Sequence, residues 1–297
     1  MNKLTRMLVS TTSALALALA AGGLSIPASG PPSHLDFGCA QPAQARSFYD
    51  AMLFHPRTEF RHNPDTVGGV AKRDVTFKAP DGSRLRGWYF DLPGSDKIVL
   101  VSEGNGGNMD YLTTLAEMLM QCNASVLLYD YEGYGQSEGR PSLRRVVNDG
   151  VAAYDYMSKN LAEKKKIVLL GVSLGTGVTS QILAQRKADA VILSSPFTSL
   201  LDMARLKIGY FKYIPTIALP RQHLDNVAAM RKEHPPLLIL HGTDDELIPL
   251  SQSEALFASA STPKTFVKLD KAGHNDTFRL TKEAYLQALK DFFATLN

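Results

Sequence analysis

The chain has 297 residues, of which 44% are hydrophobic and 21% are charged, and its formal net charge is +3. This composition is typical of a globular protein and excludes an intrinsically disordered chain. So small a positive excess gives no argument for nucleic-acid binding, and we expect no nucleic-acid partner. Two cysteines are too few for a disulfide-rich scaffold or for a zinc site built from cysteines.

The first 28 residues have the organisation of a secretory signal peptide. Lys3 and Arg6 form a basic start, an uncharged run rich in Leu and Ala follows, and small residues end it. The apolar run is shorter than the roughly 20 residues of a membrane-spanning helix. We therefore predict export to the periplasm or secretion, with cleavage after Ala21 or Ala28. The alternative is an uncleaved N-terminal anchor, which would be the one segment in contact with a membrane.

Export also affects the two cysteines. In an oxidising compartment Cys39 and Cys122 could form a disulfide. The alternative is a pair of free thiols, with Cys122 buried at a helix end like a small apolar residue. We favour the free thiols.

Strands and helices alternate over residues 74–297, after a lead-in at residues 29–73 that we predict to be irregular. The predicted strands are Asp74–Ala79, Leu85–Asp91, Lys97–Val101, Ser125–Tyr129, Lys166–Leu170, Ala190–Ser194, Leu237–Leu240 and Thr265–Leu269. The predicted helices lie near Tyr111–Gln121, Leu143–Met157, Thr176–Gln185, Ser251–Ala260 and Lys282–Leu296. Unbroken runs of Val, Ile and Leu are typical of strands buried on both faces. The pattern predicts one α/β domain, with a mainly parallel eight-stranded sheet and helices on both faces.

Residues 171–175 read Gly-Val-Ser-Leu-Gly and lie between a predicted strand and a predicted helix. A sharp turn here would lift the Ser173 side chain above the sheet, and the small residues on either side would let strand and helix approach each other. The helix N-terminus favours negative charge that develops nearby. We predict that Ser173 is a nucleophile. The alternative is an ordinary serine in a glycine-rich turn.

A serine nucleophile needs a base, and the base needs a carboxylate that orients it. His274 follows the last predicted strand, so it lies on the same edge of the sheet as Ser173, and we predict that it is the base. His241 ends a strand and is predicted to be structural, and the other five histidines are expected at the surface. The loop after that strand offers three carboxylates for the acid, Asp244, Asp245 and Glu246. We select Asp245, with Asp244 as the alternative.

The loop after the strand Lys97–Val101 reads Ser-Glu-Gly-Asn-Gly-Gly-Asn. Its glycines allow backbone N–H groups to turn inward, as an oxyanion hole for acyl transfer requires. We predict that the backbone N–H groups of Asn105 and Leu174 form this hole. A phosphate-binding loop is excluded because no Gly-Lys-Ser/Thr follows. A simple turn is the remaining alternative.

Five segments of the chain carry recognisable motifs: Leu128–Gly139, Gly171–Gly175, Ser195–Ser199, His241–Pro249 and Gly273–Asp276. Together they resemble the α/β-hydrolase superfamily of serine hydrolases, in particular its serine aminopeptidase-type and protein-depalmitoylase-like members. The resemblance covers about residue 74 to the C-terminus. It implies the α/β-hydrolase fold with a short cap. It also implies the roles of nucleophile, base and acid for Ser173, His274 and Asp245, the residues that the pattern itself selects.

The chain departs from the family pattern at the oxyanion loop. The family usually has His-Gly before this loop, whereas here Glu103 and Gly104 stand in that place. A carboxylate pointing into an oxyanion hole would oppose the charge of the intermediate, so we expect Glu103 to face away or to pair with a cation. The stretch 199–235 lies where the fold carries its cap. Its apolar side chains form either ordinary helix packing or a lip for an acyl chain.

The sequence therefore predicts a serine hydrolase that cleaves carboxylic ester or thioester bonds of a small-molecule or acylated substrate. We expect neither a metal nor an organic cofactor, because the acyl-transfer mechanism needs none. A peptidase acting on short peptides is the first alternative, since the same three side chains serve both reactions. A non-catalytic binding module on the same scaffold is the second, since a fold alone does not fix a function.

Overall fold

The computed structural model describes residues 48–207 and 224–296 of the chain. These residues belong to one compact unit, Ala45–Asn297. Of the helices in the described part of the chain, none combines the length and the apolar composition needed to cross a membrane.

Several predictions from the sequence lie outside the described residues. They concern the signal peptide or anchor at residues 1–28, Cys39, and residues 208–223 of the cap region, so export and the disulfide stay predictions. Cys122 is described: it lies at the end of a helix, is buried and forms no disulfide within the described residues. Burial raises the pKa of this thiol to about 11, as expected for a cysteine in an apolar interior.

Every strand and helix predicted from the sequence is present in the structure. Within the described residues, the strands in chain order are β1 (His55–Pro56), β2 (Thr66–Val67), β3 (Val70–Lys78), β4 (Arg84–Phe90), β5 (Lys97–Ser102), β6 (Gly106–Gly107), β7 (Ala124–Tyr129), β8 (Lys166–Val172), β9 (Ala190–Ser194), β10 (Leu237–Gly242) and β11 (Lys264–Leu269). The helices are α1 (Phe48–Leu53), α2 (Thr113–Gln121), α3 (Leu143–Asn160), α4 (Leu174–Leu183), α5 (Leu200–Lys207), α6 (Asn226–Met230), α7 (Leu250–Ser259), α8 (Thr277–Leu280) and α9 (Lys282–Ala294). A 3₁₀ turn, Met109–Leu112, precedes α2.

The main sheet of the described chain has nine strands in the order β11-β10-β9-β8-β5-β7-β4-β3-β2. The six strands from β11 to β7 in this order are parallel, and β4, β3 and β2 form an antiparallel edge. The predicted mainly parallel sheet is confirmed. The strand count of eight is too low by one, because β2 is a two-residue strand and so short a segment has no readable periodicity.

The lead-in at residues 29–73 is not irregular in its described portion. It contains α1, β1 and β2, and β3 begins within it. Strand β1 pairs in parallel with β6, with His55 opposite Gly106 and Pro56 opposite Gly107. The lead-in is therefore attached to the loop that follows β5.

Side chains of the central strands alternate between the two faces of the sheet. Ile98 and Leu100 of β5 belong to a core cluster with α3 and α4, whereas Val99 and Val101 belong to a second cluster with α2 and α9. All four are almost completely buried. Burial of each such side chain contributes roughly 1.5–3 kcal/mol. The continuous apolar runs of the sequence thus reflect helices on both faces.

The order of the strands reverses beside β5. From β5 the chain continues to β7 on one side, then passes to β8 on the other side and proceeds outward from there. In open α/β sheets, ligands bind beyond the carboxyl ends of the strands at such a point. The loops that follow β5 and β8 therefore border the expected crevice.

Candidate active site

Ser173 occupies the sharp turn between β8 and α4. Its backbone has φ 54° and ψ −119°, a left-handed conformation that is unusual for a residue with a side chain. The Ser173 N–H donates to the Ser194 carbonyl at the end of β9 (2.9 Å), which ties the turn to the neighbouring strand. Helix α4 begins at once with Leu174, so the Ser173 side chain stands at a helix N-terminus.

The two glycines that flank this turn permit close approaches of the backbone. A Cβ atom on Gly175 would lie 2.1 Å from the Ser102 carbonyl oxygen, and one on Gly171 would lie 2.4 Å from the Gly175 carbonyl oxygen. Neither distance leaves room for a side chain. The first turn of α4 therefore lies directly against the end of β5, in agreement with the Gly-x-Ser-x-Gly pattern.

The imidazole of His274 lies between the Ser173 hydroxyl and the Asp245 carboxylate. Its Nε2 atom is 2.9 Å from Ser173 Oγ, and its Nδ1 atom is 2.7 Å from Asp245 Oδ2. The loops after β8, β10 and β11 supply these residues, so all three lie at the carboxyl edge of the parallel strands. The structure thus brings together the three residues that the sequence selects.

Hydrogen bonds hold the backbone on both sides of His274. The Gly273 N–H donates to Asp276 Oδ1 (2.8 Å). On the other side, the Tyr111 hydroxyl donates to the Asn275 carbonyl (2.7 Å). Tyr111 lies in the 3₁₀ turn that follows the β5 loop, so this bond joins the histidine loop to the region of the predicted oxyanion hole.

The Asp245 carboxylate is buried, and each of its oxygens has two polar contacts. Oδ1 accepts hydrogen bonds from the backbone N–H groups of Leu247 (2.9 Å) and Ile248 (2.7 Å). Oδ2 lies 2.7 Å from His274 Nδ1 and 3.3 Å from His241 Nε2. Burial alone raises the pKa of Asp245, but the hydrogen bonds from His241, His274 and Ile248 outweigh it and hold the pKa well below its usual range. The carboxylate is therefore ionised at neutral pH.

The charge on Asp245 determines the tautomer of His274. An ionised carboxylate only accepts hydrogen bonds, so the imidazole carries a proton on Nδ1. Nε2 of the neutral ring is then an acceptor facing the Ser173 hydroxyl, as a general base for serine requires. Asp244, the alternative acid, is exposed, and its Oδ1 accepts from the Thr243 hydroxyl (3.1 Å).

The two predicted oxyanion donors belong to segments next to Ser173. Leu174 is the first residue of α4, so its N–H has no acceptor one turn earlier in the helix. A Cβ atom on Gly104 would lie 3.6 Å from Ser173 Cβ, which places the loop of Asn105 beside the serine. Both segments therefore border the space in which the carbonyl of a substrate would lie.

Contacts that sequence reasoning missed fix the loop of Asn105. The Tyr131 hydroxyl donates to the Glu103 carbonyl (3.0 Å), and the Tyr134 hydroxyl donates to the Asn105 carbonyl (2.7 Å). The His55 N–H donates to the same Asn105 carbonyl (2.8 Å). The two tyrosines lie in a segment that resembles the family, so a signal for them was present. His55, in contrast, lies in the lead-in, where the sequence has no recognisable motif.

Glu103 is buried in an acidic environment. It is 2% exposed, and one of its carboxyl oxygens has no hydrogen-bond partner, as is also true of one oxygen of the buried Asp130. Arg57, the nearby cation, pairs with Asp110 instead (2.7 Å). Of the two arrangements expected for Glu103, the ion pair with a cation is therefore not found among the described residues.

The same environment changes the protonation of these carboxyls. Burial, reinforced by the charge of Asp130, raises the pKa of Glu103 well above its usual value. Burial also raises the pKa of Asp130 from 3.8 to about 7. Both groups ionise near pH 4 in an unfolded chain, so the folded protein binds more protons than the unfolded one above that pH. The contribution of these two carboxyls to stability therefore falls as the pH rises from about 4 through about 7.

The variant Glu103→Gln should reduce this loss of stability, because it replaces an ionisable group by a neutral group of the same size. We expect its melting temperature to exceed that of the wild type by about 3–6 °C at pH 8, and to match it closely at pH 5. Thermal unfolding at both pH values, followed by circular dichroism, measures the difference. Glu233→Gln at an exposed site is the control. An equal difference at both pH values would contradict the assigned ionisation.

The remaining described histidines divide into buried and exposed residues. His241 is fully buried, in agreement with its predicted structural placement. His55 and His62 are exposed as expected. The expectation is wrong for His234, which is 7% exposed and whose Nδ1 lies 2.7 Å from the Pro235 carbonyl oxygen. It precedes a buried strand, and no local sequence pattern indicates that this loop is covered.

The arrangement around Ser173 suits nucleophilic attack on an electrophilic carbon. The hydroxyl is hydrogen-bonded to a neutral imidazole, which is hydrogen-bonded in turn to a buried carboxylate. Such a hydroxyl can lose its proton as it attacks. Within residues 48–207 and 224–296, no group of three or more His, Cys, Asp or Glu side chains is arranged to hold a metal ion.

Comparison with known sequences identifies related proteins. A family model described as serine aminopeptidase, S33, matches residues 93–223. An uncharacterized protein of Mycobacterium tuberculosis is 36% identical over 225 residues, which are 75% of this chain and 79% of that protein. The alpha/beta hydrolase domain-containing protein 17B of Xenopus laevis is 31% identical over 207 residues, 68% of each chain.

Solved structures with the same architecture are more distant in sequence. An esterase of Pyrococcus furiosus superimposes with a TM-score of 0.69 at 19% identity, covering 82% of this chain and 98% of that one. Est1E of Butyrivibrio proteoclasticus, solved with ferulic acid bound, has a TM-score of 0.62 at 21% identity, with 75% and 98% covered. At these identities the likeness establishes the fold.

Proposed function

Because the chain belongs to the α/β-hydrolase superfamily, we propose that it hydrolyses carboxylic ester or thioester bonds through an acyl-enzyme at Ser173. One observation carries this proposal. Ser173 Oγ lies 2.9 Å from His274 Nε2, and His274 Nδ1 lies 2.7 Å from Asp245 Oδ2. A serine hydroxyl alone is a weak nucleophile, and a base with an orienting carboxylate is the arrangement that activates it.

The first half of the reaction acylates the enzyme. Ser173 Oγ attacks the carbonyl carbon of the substrate while its proton passes to His274 Nε2. Asp245 stabilises the imidazolium that forms. The tetrahedral intermediate then collapses, and His274 returns the proton to the departing alcohol or thiol. The acyl group remains on Ser173 as an ester.

The second half releases the acid. A water molecule attacks the acyl ester while His274 Nε2 takes one of its protons, and collapse of the second intermediate returns that proton to Ser173 Oγ. In both halves the negative oxygen is held by the backbone N–H groups of Leu174 and Asn105. Each such donor is worth about 10²–10³ in rate. The Tyr134 bond to the Asn105 carbonyl supports this role by fixing the loop.

A peptidase acting on short peptides is the second candidate, because the matching family model is described as a serine aminopeptidase. The same three side chains serve both reactions, and the leaving group separates them. An amine leaves less readily than an alcohol or a thiol and requires protonation by His274 as the bond breaks. The similar Pyrococcus furiosus protein is an esterase, and this supports the first candidate.

A matched pair of substrates tests the proposal. Alanine p-nitrophenyl ester and alanine p-nitroanilide have the same acyl group and differ in the leaving group, and p-nitrophenyl acetate, butyrate and octanoate extend the series. We expect turnover of the esters above the rate without protein, and no turnover of the anilide. Turnover of the anilide at a rate similar to that of the matched ester would contradict this expectation and favour the peptidase.

A further inference from the structure

A second histidine contacts the carboxylate that orients His274. His241 is fully buried near the end of β10, and its Nε2 atom lies 3.3 Å from Asp245 Oδ2 and 2.8 Å from the Ile248 carbonyl oxygen. On the other side of the ring, Nδ1 lies 2.5 Å from Ser253 Oγ. Both ring nitrogens of His241 therefore have polar neighbours.

These contacts determine where His241 carries a proton. Nε2 faces two oxygens that can only accept, the Ile248 carbonyl and the ionised Asp245 carboxylate, so this nitrogen is protonated. Ser253 Oγ can donate to Nδ1, and it also lies 3.2 Å from the Pro196 carbonyl oxygen. Nε2–H therefore has the Ile248 carbonyl as its principal acceptor (2.8 Å) and lies 3.3 Å from Asp245 Oδ2, whichever way the Ser253 hydroxyl turns.

The two imidazoles share one oxygen of Asp245. Oδ2 lies 2.7 Å from His274 Nδ1 and 3.3 Å from His241 Nε2, while Oδ1 accepts two backbone N–H groups. A donor at Oδ2 withdraws negative charge from the oxygen that holds the His274 proton. A weaker negative charge on Oδ2 stabilises the imidazolium of His274 less, because the charges interact across a buried contact.

We propose that His241 is a positioning residue that acts on His274 through Asp245. Its Nε2–H lies beside Oδ2 and limits the charge on this oxygen, so that Asp245 stabilises the imidazolium of His274 less than it would without this neighbour. The proposal rests on the proposed role of His274 as the base for Ser173. It extends that role by naming a residue that touches neither the substrate nor Ser173 and yet influences the pH dependence of the base.

Other titratable groups lie on the loops that carry His274 and Asp245 or on segments that contact these loops. They are Tyr111, Asp244, Glu246, Asp276 and Lys207, whose ammonium donates to the Glu246 carbonyl (2.9 Å). All five are at least partly exposed, so solvent and salt screen their charges. Substitution of His241 leaves all of them unchanged, which isolates the effect of the buried donor.

The test is the pH dependence of serine phosphonylation by a fluorophosphonate probe, measured for the full chain and its variants. His241→Leu removes the donor, whereas His241→Gln retains an N–H that can reach Asp245. We expect the lower-pH midpoint of the rate profile to rise by about 0.5–1 pH unit in His241→Leu, the size of one hydrogen bond. We expect His241→Gln to keep the wild-type midpoint.

The control is His234→Leu, which removes another buried histidine at the opposite end of β10 and should leave the midpoint unchanged. Thermal unfolding of each variant separates loss of folding from the shift. A His241→Leu profile that is lowered equally at every pH, with the wild-type midpoint, would overturn the proposal and leave His241 a structural residue. An equal shift of the midpoint in His241→Gln and His241→Leu would also overturn the proposal. Because the probe does not depend on ester turnover, rejection of ester specificity is a separate result.

Discussion

Ser173→Ala is expected to lower kcat for ester hydrolysis by about 10⁴–10⁶ and to leave the fold intact. The variant removes the oxygen that forms the acyl bond, so the oxyanion hole and substrate binding provide the only remaining acceleration. The Ser173 hydroxyl bonds to His274, and its backbone N–H, which alanine retains, ties the turn to β9. The melting temperature should therefore change little. Initial rates and thermal unfolding check both parts.

The matched control for this variant is Ser195→Ala. Ser195 also follows a parallel strand, is 3% exposed and has a positive φ of 50°. The two substitutions therefore make the same chemical change at positions that share a positive φ, and Ser195→Ala should keep most of the activity. If Ser173→Ala retained the wild-type rate, or if the two variants lost activity equally, Ser173 would not be the nucleophile.

Asp245→Asn is expected to lower kcat/KM by about 10⁴. The backbone N–H groups of Leu247 and Ile248 require an oxygen at the Oδ1 position, so the new NH₂ group must take the position of Oδ2. There it faces His274 Nδ1, which must become the acceptor. The proton of the neutral ring then moves to Nε2, and that nitrogen can no longer accept the proton of Ser173.

Asp244→Asn is the control for this prediction, since it makes the same change one residue earlier on an exposed side chain. We expect nearly wild-type kcat/KM for this variant, measured with the same ester. The opposite pattern, with a large loss in Asp244→Asn and little in Asp245→Asn, would transfer the role of the acid to Asp244.

Much of the site could be predicted from the sequence, because parallel strands all end at the same edge of the sheet and the residues that follow them lie there together. Ser173 and His274 each follow a strand of the parallel part of the sheet, so their proximity follows from the topology, although 101 positions separate them. The choice between Asp244 and Asp245 is harder, since the loop offers both. The backbone N–H groups of the residues that follow Asp245 bind its carboxylate and hold it in place. No periodicity in the sequence indicates a turn of this kind.

The features that could not be predicted depend on contacts between distant segments. The pairing of β1 with β6 attaches the lead-in to the loop that follows β5, and two-residue strands have no recognisable pattern. The raised pKa of Glu103 depends on its burial and on the charge of Asp130. The nearby cation, Arg57, pairs instead with Asp110, which is 53 positions away from it in the chain. Such arrangements follow from tertiary packing, which local sequence does not encode.

Covalent labelling tests most directly whether the Ser173 hydroxyl, activated by His274, is the nucleophile. A fluorophosphonate transfers its phosphonyl group to an activated serine oxygen, with loss of fluoride, and mass spectrometry of the digested protein locates the adduct. We expect one phosphonyl group per chain, on the peptide that contains Ser173, and no adduct in Ser173→Ala. An unlabelled wild-type protein, or an adduct on a different serine, would contradict this assignment.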